Sequence, residues 1–158
     1  MYRDLDGNTS TVLSTTYYRA LGSSTTPNWS FQPKASVVVV NLGTNDWANG
    51  DPGVPYETAY IAFIAKLRAV YQDAWIFLTI GSMTSEPALT QVKTRLASVV
   101  ASISASTGDE RLVTFDFGTQ DLGSDGSVPT GCDWHPNVVE HQRMAGILEQ
   151  QLSAKLGW

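Results

Sequence analysis

The chain has 158 residues, room for one compact domain and too few for two ordinary ones. Its 42% hydrophobic and 16% charged residues are enough to build a core, and a net charge of -5 argues against nucleic acid and anionic membranes, which select basic patches. One cysteine, Cys132, excludes an internal disulfide framework and a multi-cysteine metal site, and there is no apolar run of about 18 residues to cross a membrane.

Residues 1–35 are rich in Ser, Thr, Gly, Asn and Pro and read as loop, with one short helix near Thr15–Leu21. Their start, Met1 to Asp6, is charged and lacks the apolar centre of a signal peptide. Ser36–Leu42 is a continuous β-branched run, the mark of a strand buried on both faces. A Gly- and Pro-rich loop, 43–55, leads to a helix over Tyr56–Tyr71, where Tyr60, Ile64, Leu67 and Tyr71 fall at helical spacing. Trp75–Ile80 is a second buried strand, ended by Gly81. Pro87 suits a first helical turn, Leu89, Val92, Leu96, Val99 and Ile103 carry the stripe, and Gly108 stops that helix.

Leu112–Phe117 is a third strand, followed by a Gly/Asp/Ser loop to Pro136. The last helix starts at Asn137, with Glu140 completing a capping box and Val138, Ala145, Leu148, Leu152 and Leu156 as its apolar stripe. Strands alternating with helices predict an α/β fold on a parallel sheet. Ligands of such sheets bind outside the carboxyl ends of the strands. Those ends are Gly43–Trp47, Gly81–Ser85 and the loop 118–135.

Two motifs fall on that rim. The turn Gly43-Thr44-Asn45-Asp46-Trp47 offers a glycine for close approach and an amide donor in Asn45, the parts of an oxyanion site. The segment Gly131-Cys132-Asp133-Trp134-His135-Pro136 sets an acid two residues before a histidine, an arrangement in which His135 can take a proton and Asp133 can orient it. Each motif alone has a plainer explanation, as turn chemistry for the first and a backbone-bonding Asp for the second. Asp46 is expected to brace its loop. Trp47 and Trp134 flank the motifs and suit either stacking on sugar or simple packing. His141, the only other histidine, is expected on the polar face of the last helix, and Cys132 is expected to be an inert thiol or one that has lost a disulfide partner. Two histidines six apart match no standard metal spacing.

Taken together, Gly43-Thr44-Asn45-Asp46 and Asp133-Trp134-His135-Pro136 resemble the SGNH (GDSL-type) hydrolases, most closely the deacetylases of carbohydrate esterase family 2. The resemblance extends to Tyr2-Arg3, Gly7-Asn8-Thr9, Trp29-Ser30-Phe31, Val39 to Asp46 and Leu156-Gly157-Trp158. It implies a three-layer α/β/α sandwich with a parallel sheet, and no metal or organic cofactor. It implies His135 as general base, oriented by Asp133 or by a backbone carbonyl, Asn45 as oxyanion donor, and Trp134 lining the acyl or sugar site beside Gly43 and Trp47. The family's Gly-Asp-Ser block, which carries the nucleophile, is not in the sequence. The resemblance implies that it lies upstream of Met1, that the first strands of the fold are absent, and that the parent protein is secreted.

The expected function is hydrolysis of carboxylic esters, with an acetylated polysaccharide or oligosaccharide as substrate. One alternative is a non-catalytic remnant that binds carbohydrate or a partner. Another is an esterase that recruits Ser82, which follows the second strand on the same rim, although a turn role suits Ser82 better. The unpartnered edge of Ser36–Leu42 leads to a further expectation, a homo-oligomer joined at or near that strand.

Overall fold

A computed structural model of the protein describes residues 1–123, 128 and 130–157. Residues 124–127 and 129 of the expected long loop, and Trp158 of the terminal Leu156-Gly157-Trp158 segment, lie outside the described residues.

Three apolar runs pair in parallel, in the order β1 (Val37–Asn41), β2 (Trp75–Ile80) and β3 (Leu112–Asp116). The first helix, α1 (Leu13–Thr16), is a single turn, shorter than the Thr15–Leu21 helix expected. The chain after it bends back through a bridge between Arg19 and Asn28. The larger helices α2 (Val54–Val70) and α3 (Ala88–Thr107) cover one face of the sheet, and α4 (Val138–Leu156) lies on the other. The architecture is the three-layer α/β/α sandwich expected from the sequence.

The boundaries follow local chemistry. Helix α2 begins two residues before the expected Tyr56, because Pro55 sits in its first turn, where a missing N–H costs nothing. Helix α3 stops at Gly108, whose φ of +71° lies in the left-handed region. Asn137 caps α4 by accepting from the Glu140 amide at 2.9 Å. The other half of the expected capping box does not form. The Glu140 carboxylate accepts instead from Arg143 Nε at 2.8 Å, since a charged guanidinium is a stronger partner than a backbone amide.

Alternation along the strands sorts the side chains. Val40, Ile76, Leu78 and Ile80 join Tyr56, Tyr60, Phe63, Ile64 and Leu67 of α2 and Val92, Leu96 and Val99 of α3 in the main core. Each aliphatic or phenylalanine side chain among them stabilises the fold by roughly 1.5–3 kcal/mol on burial. On the α4 face, Phe77 meets Phe115 at 6.3 Å and the Lys155 ammonium lies 6.0 Å from the Trp75 ring centre.

That second face is less completely covered. No residue of α4 is fully buried, and Val138, expected in its apolar stripe, is 71% exposed. Among the described residues β1 pairs only with β2, and its Val39 is 40% exposed. The expectation that β1 is buried on both faces therefore holds for Val40 and fails for Val39. Residues 1–35 do not lie along the free edge as a strand. Part of them packs on α2, where Tyr17 stacks on Phe31 at 5.0 Å and meets Phe63 edge-on at 5.3 Å, and where the Lys66 ammonium donates to the Ser14 carbonyl.

Candidate active site

At the end of β1 the backbone turns at Gly43 with φ of +128°. A β-carbon there would lie 2.7 Å from the Tyr56 hydroxyl, so conformation and space both demand glycine. The 3-10 turn Thr44–Trp47 follows, closed by the Asp46 amide donating to Gly43 O at 2.9 Å.

Asp46 is fully buried. Its Oδ1 accepts from the amides of Tyr2 (2.6 Å) and Arg3 (2.8 Å), its Oδ2 from the Met1 nitrogen (2.7 Å), and its carbonyl from Arg3 Nε (2.8 Å). The carboxylate is thus a brace that clamps residues 1–3 to the turn. Its negative charge adds to burial in holding the Tyr56 and Tyr60 hydroxyls neutral, both pushed far above the usual phenol range.

The brace fixes which way the neighbouring side chains go. Trp47 points inward, 8% exposed, with its ring 4.7 Å from Tyr56 and its indole N–H on Gln91 Oε1 at 2.9 Å. It packs the core and offers no face to a ligand, which corrects the expectation that it lines a substrate site. Asn45 points outward, exposed, and its amide makes no hydrogen bond among the described residues. Beside it lies a cleft of about 320 Å³ bordered by Met1, Arg3, Thr11, Asn41 and Gly43.

The histidine segment is a strained turn. Asp133 (φ +51°) and Trp134 (φ +63°) are consecutive non-glycine residues in the left-handed region, which costs roughly 1–2 kcal/mol each. The His135 amide donates to Cys132 O at 3.0 Å, and the Gly131 amide donates to His135 O at 2.8 Å. His135 Nδ1 lies 3.1 Å from the same Cys132 carbonyl. A carbonyl only accepts, so the neutral ring carries its proton on Nδ1 and keeps the lone pair of Nε2. Of the two orienting groups implied by the family resemblance, the backbone carbonyl holds the ring. Asp133 makes no hydrogen bond to the imidazole among the described residues. The Trp134 ring is 68% exposed. Cys132 is also exposed, and its carbonyl, not its thiol, faces the imidazole.

Between the two motifs lies the end of β2. Ser82 is 1% exposed, and its hydroxyl faces α4, 3.4 Å from Met144 Sδ. It is therefore not presented to the rim as a nucleophile or substrate contact, and the turn role stands. Arg143 holds the Glu140 carboxyl below the usual carboxylate range, with Ser82 as a lesser cause. Arg143 Nη1 also donates to Phe117 O at 2.6 Å, tying α4 to the end of β3. His141 is exposed on α4, its amide on Asn137 O at 2.9 Å.

Backbone and side-chain bonds join these pieces along one rim. Gly81 packs against the side chains of Asn41 and Thr44. The Gln120 amide donates to Ser82 O at 2.8 Å, and Gln120 Nε2 donates to Trp134 O at 2.8 Å. Asn45, Gly43 and His135 all stand at the carboxyl ends of the strands. Gln120 and Arg143 were not foreseeable from the sequence, since each acts through long-range bonds to backbone carbonyls that leave no motif or period.

A parallel α/β/α sandwich with these motifs at its strand ends is of the SGNH hydrolase class. The chain belongs to the GDSL-like lipase/acylhydrolase family, whose model matches residues 4–143. It is 36% identical over 132 residues to the cellulase/esterase CelE of Acetivibrio thermocellus, a match that covers 82% of this chain and 16% of that protein. A family two carbohydrate esterase from Clostridium thermocellum, solved in complex with cellohexaose, superposes with a TM-score of 0.85 at 33% identity, over 99% of this chain and 48% of that one. A family two carbohydrate esterase from Cellvibrio japonicus superposes with a TM-score of 0.78 at 24% identity, over 99% and 46%, a likeness of fold. The chain thus spans about half the length of these solved relatives. Among the described residues no helix is long and apolar enough to cross a membrane.

Proposed function

We propose that the chain acts as an SGNH-type hydrolase that removes acetyl groups from a polysaccharide or oligosaccharide. The observation that carries this reading is the His135 imidazole, its Nδ1 on the Cys132 carbonyl, on the rim that also presents Asn45. An attacking hydroxyl adds to the acetyl carbonyl and passes its proton to Nε2. The oxygen that becomes negative is met by the Asn45 amide and the backbone near Gly43. His135 then returns the proton to the departing sugar oxygen, the acetyl group stays on the attacking oxygen, and water releases it as acetate by the same steps. In this family the attacking hydroxyl is that of the Gly-Asp-Ser block; in this sequence, which does not contain that block, a water deprotonated by His135 takes its place and acetate forms directly. Trp134, two-thirds exposed beside the base, supplies a ring on which a sugar can stack.

The named relatives support the substrate class. One is called a cellulase/esterase, and a solved carbohydrate esterase at 33% identity holds cellohexaose. A polysaccharide substrate is too large to cross a cell membrane, which supports work outside the cell. The exposed Val39 on the edge of β1 supports self-association of this chain.

One observation favours a second reading, a module that binds carbohydrate without cleaving it. Among the described residues no serine hydroxyl bonds to His135. Hydrolysis of 4-nitrophenyl acetate separates the two. The esterase reading predicts turnover above the buffer rate, abolished in His135→Ala and retained in His141→Ala. Equal loss in both variants, or binding of cello-oligosaccharides with no turnover, contradicts it.

A further inference from the structure

We propose that Gln120 is a positioning residue for His135, acting through the Trp134 carbonyl; the inference rests on the reading of His135 as the base. The turn that carries the imidazole has an unusual combination of features. It holds two consecutive left-handed residues, Asp133 and Trp134, neither of them glycine. Residues 131–135 are exposed, so burial does not hold this backbone in place. Strained backbone persists only where its surroundings over-determine it. Within the turn the bonds run between Gly131, Cys132 and His135. Among the described residues, one hydrogen bond ties residues 132–135 to the rest of the molecule, from Gln120 Nε2 to Trp134 O at 2.8 Å.

Gln120 is itself well anchored. Its amide donates to Ser82 O at 2.8 Å, and Thr119 beside it donates from Oγ1 to Thr84 O at 2.9 Å. The β2 end is thereby connected, through one side-chain amide, to the carbonyl of the residue before His135. Holding that carbonyl fixes the peptide plane between Trp134 and His135. It therefore also fixes the angle at which the ring meets Cys132 O. Without that anchor the turn can relax out of the left-handed region, Nδ1 leaves its acceptor, and the tautomer with a free Nε2 is no longer favoured.

The test is Gln120→Glu, which keeps size and the backbone bond to Ser82 and replaces the donating amide by an acceptor. Gln120→Ala serves as the second variant. Two readouts are taken on the 158-residue protein: the ring 15N shifts of His135, which report the tautomer, and kcat and KM for 4-nitrophenyl acetate. The expected result is a loss of the Nδ1–H tautomer in both variants, with kcat lowered about 10- to 100-fold and KM within about twofold, as for a misplaced catalytic group. Unchanged ring shifts overturn the inference whatever the rate, and so do shifted spectra with an unchanged kcat. If the parent chain itself shows no turnover, the esterase reading fails separately, and the tautomer alone decides whether Gln120 positions His135.

Discussion

At the residue scale, the rim is built by groups that allow few substitutes. Gly43 combines a φ of +128° with a Tyr56 hydroxyl 2.7 Å from where a β-carbon would sit. Gly43→Ala is expected to destabilise the fold by about 1–3 kcal/mol, read as a lower denaturant midpoint at unchanged m-value. An alanine variant as stable as the parent would show that the turn does not need this conformation. Asp46 makes a complementary case. Replacing it by alanine leaves the half-buried amides of Tyr2 and Arg3 without their acceptor, at a cost of about 1 kcal/mol for each. Hydrogen exchange at those two amides should accelerate more than exchange in β2. Uniform acceleration across the molecule would mean that Asp46 does not brace the turn specifically.

At the element scale, α4 is fastened to the sheet by polar groups more than by burial. Arg143 bonds Glu140 and the Phe117 carbonyl, and the Glu140 carboxyl is held below its usual range by that guanidinium. A carboxylate with a lowered folded pKa contributes stability that is full above its unfolded value, about 4.3, and is lost as pH falls through the folded value. Thermal melts should therefore show a stability loss below about pH 4.3 that is smaller in Glu140→Gln. Identical acid profiles would remove this pair from the account. The same scale shows what could be read beforehand. Apolar runs ended by glycine marked all three strands, because a strand buried in the sheet needs an apolar run and because Gly43 and Gly118 supply the positive φ that turns the chain after β1 and β3. The stripe of α4 was legible as a pattern but not in its depth, since Val138 follows the helical period and yet faces water. Trp47 and Trp134 looked alike in sequence. Only the fold, through the Asp46 brace, sends one ring to Tyr56 and leaves the other in solvent. Which group orients His135 was open for the same reason, as both Asp133 and the Cys132 carbonyl are near in sequence and the left-handed turn chooses between them.

At the scale of the whole molecule, two surfaces matter. One is the edge of β1, where Val39 is exposed and the described residues supply no outer strand. Self-association through this edge predicts a concentration-dependent mass in sedimentation at micromolar protein, shifted toward the monomer by Val39→Lys. A monomer at all concentrations, with the parent and the variant alike, would contradict it. The other is the rim that holds His135 and Asn45, on which the proposed chemistry depends. The most direct test is acetate release, quantified from an acetylated xylo- or cello-oligosaccharide. The account predicts release by the parent protein, none by His135→Ala, and a rate lowered by about 10²- to 10³-fold in Asn45→Ala with oligosaccharide affinity unchanged. Oligosaccharide bound with no acetate above the blank, or release that survives the loss of His135, would contradict it.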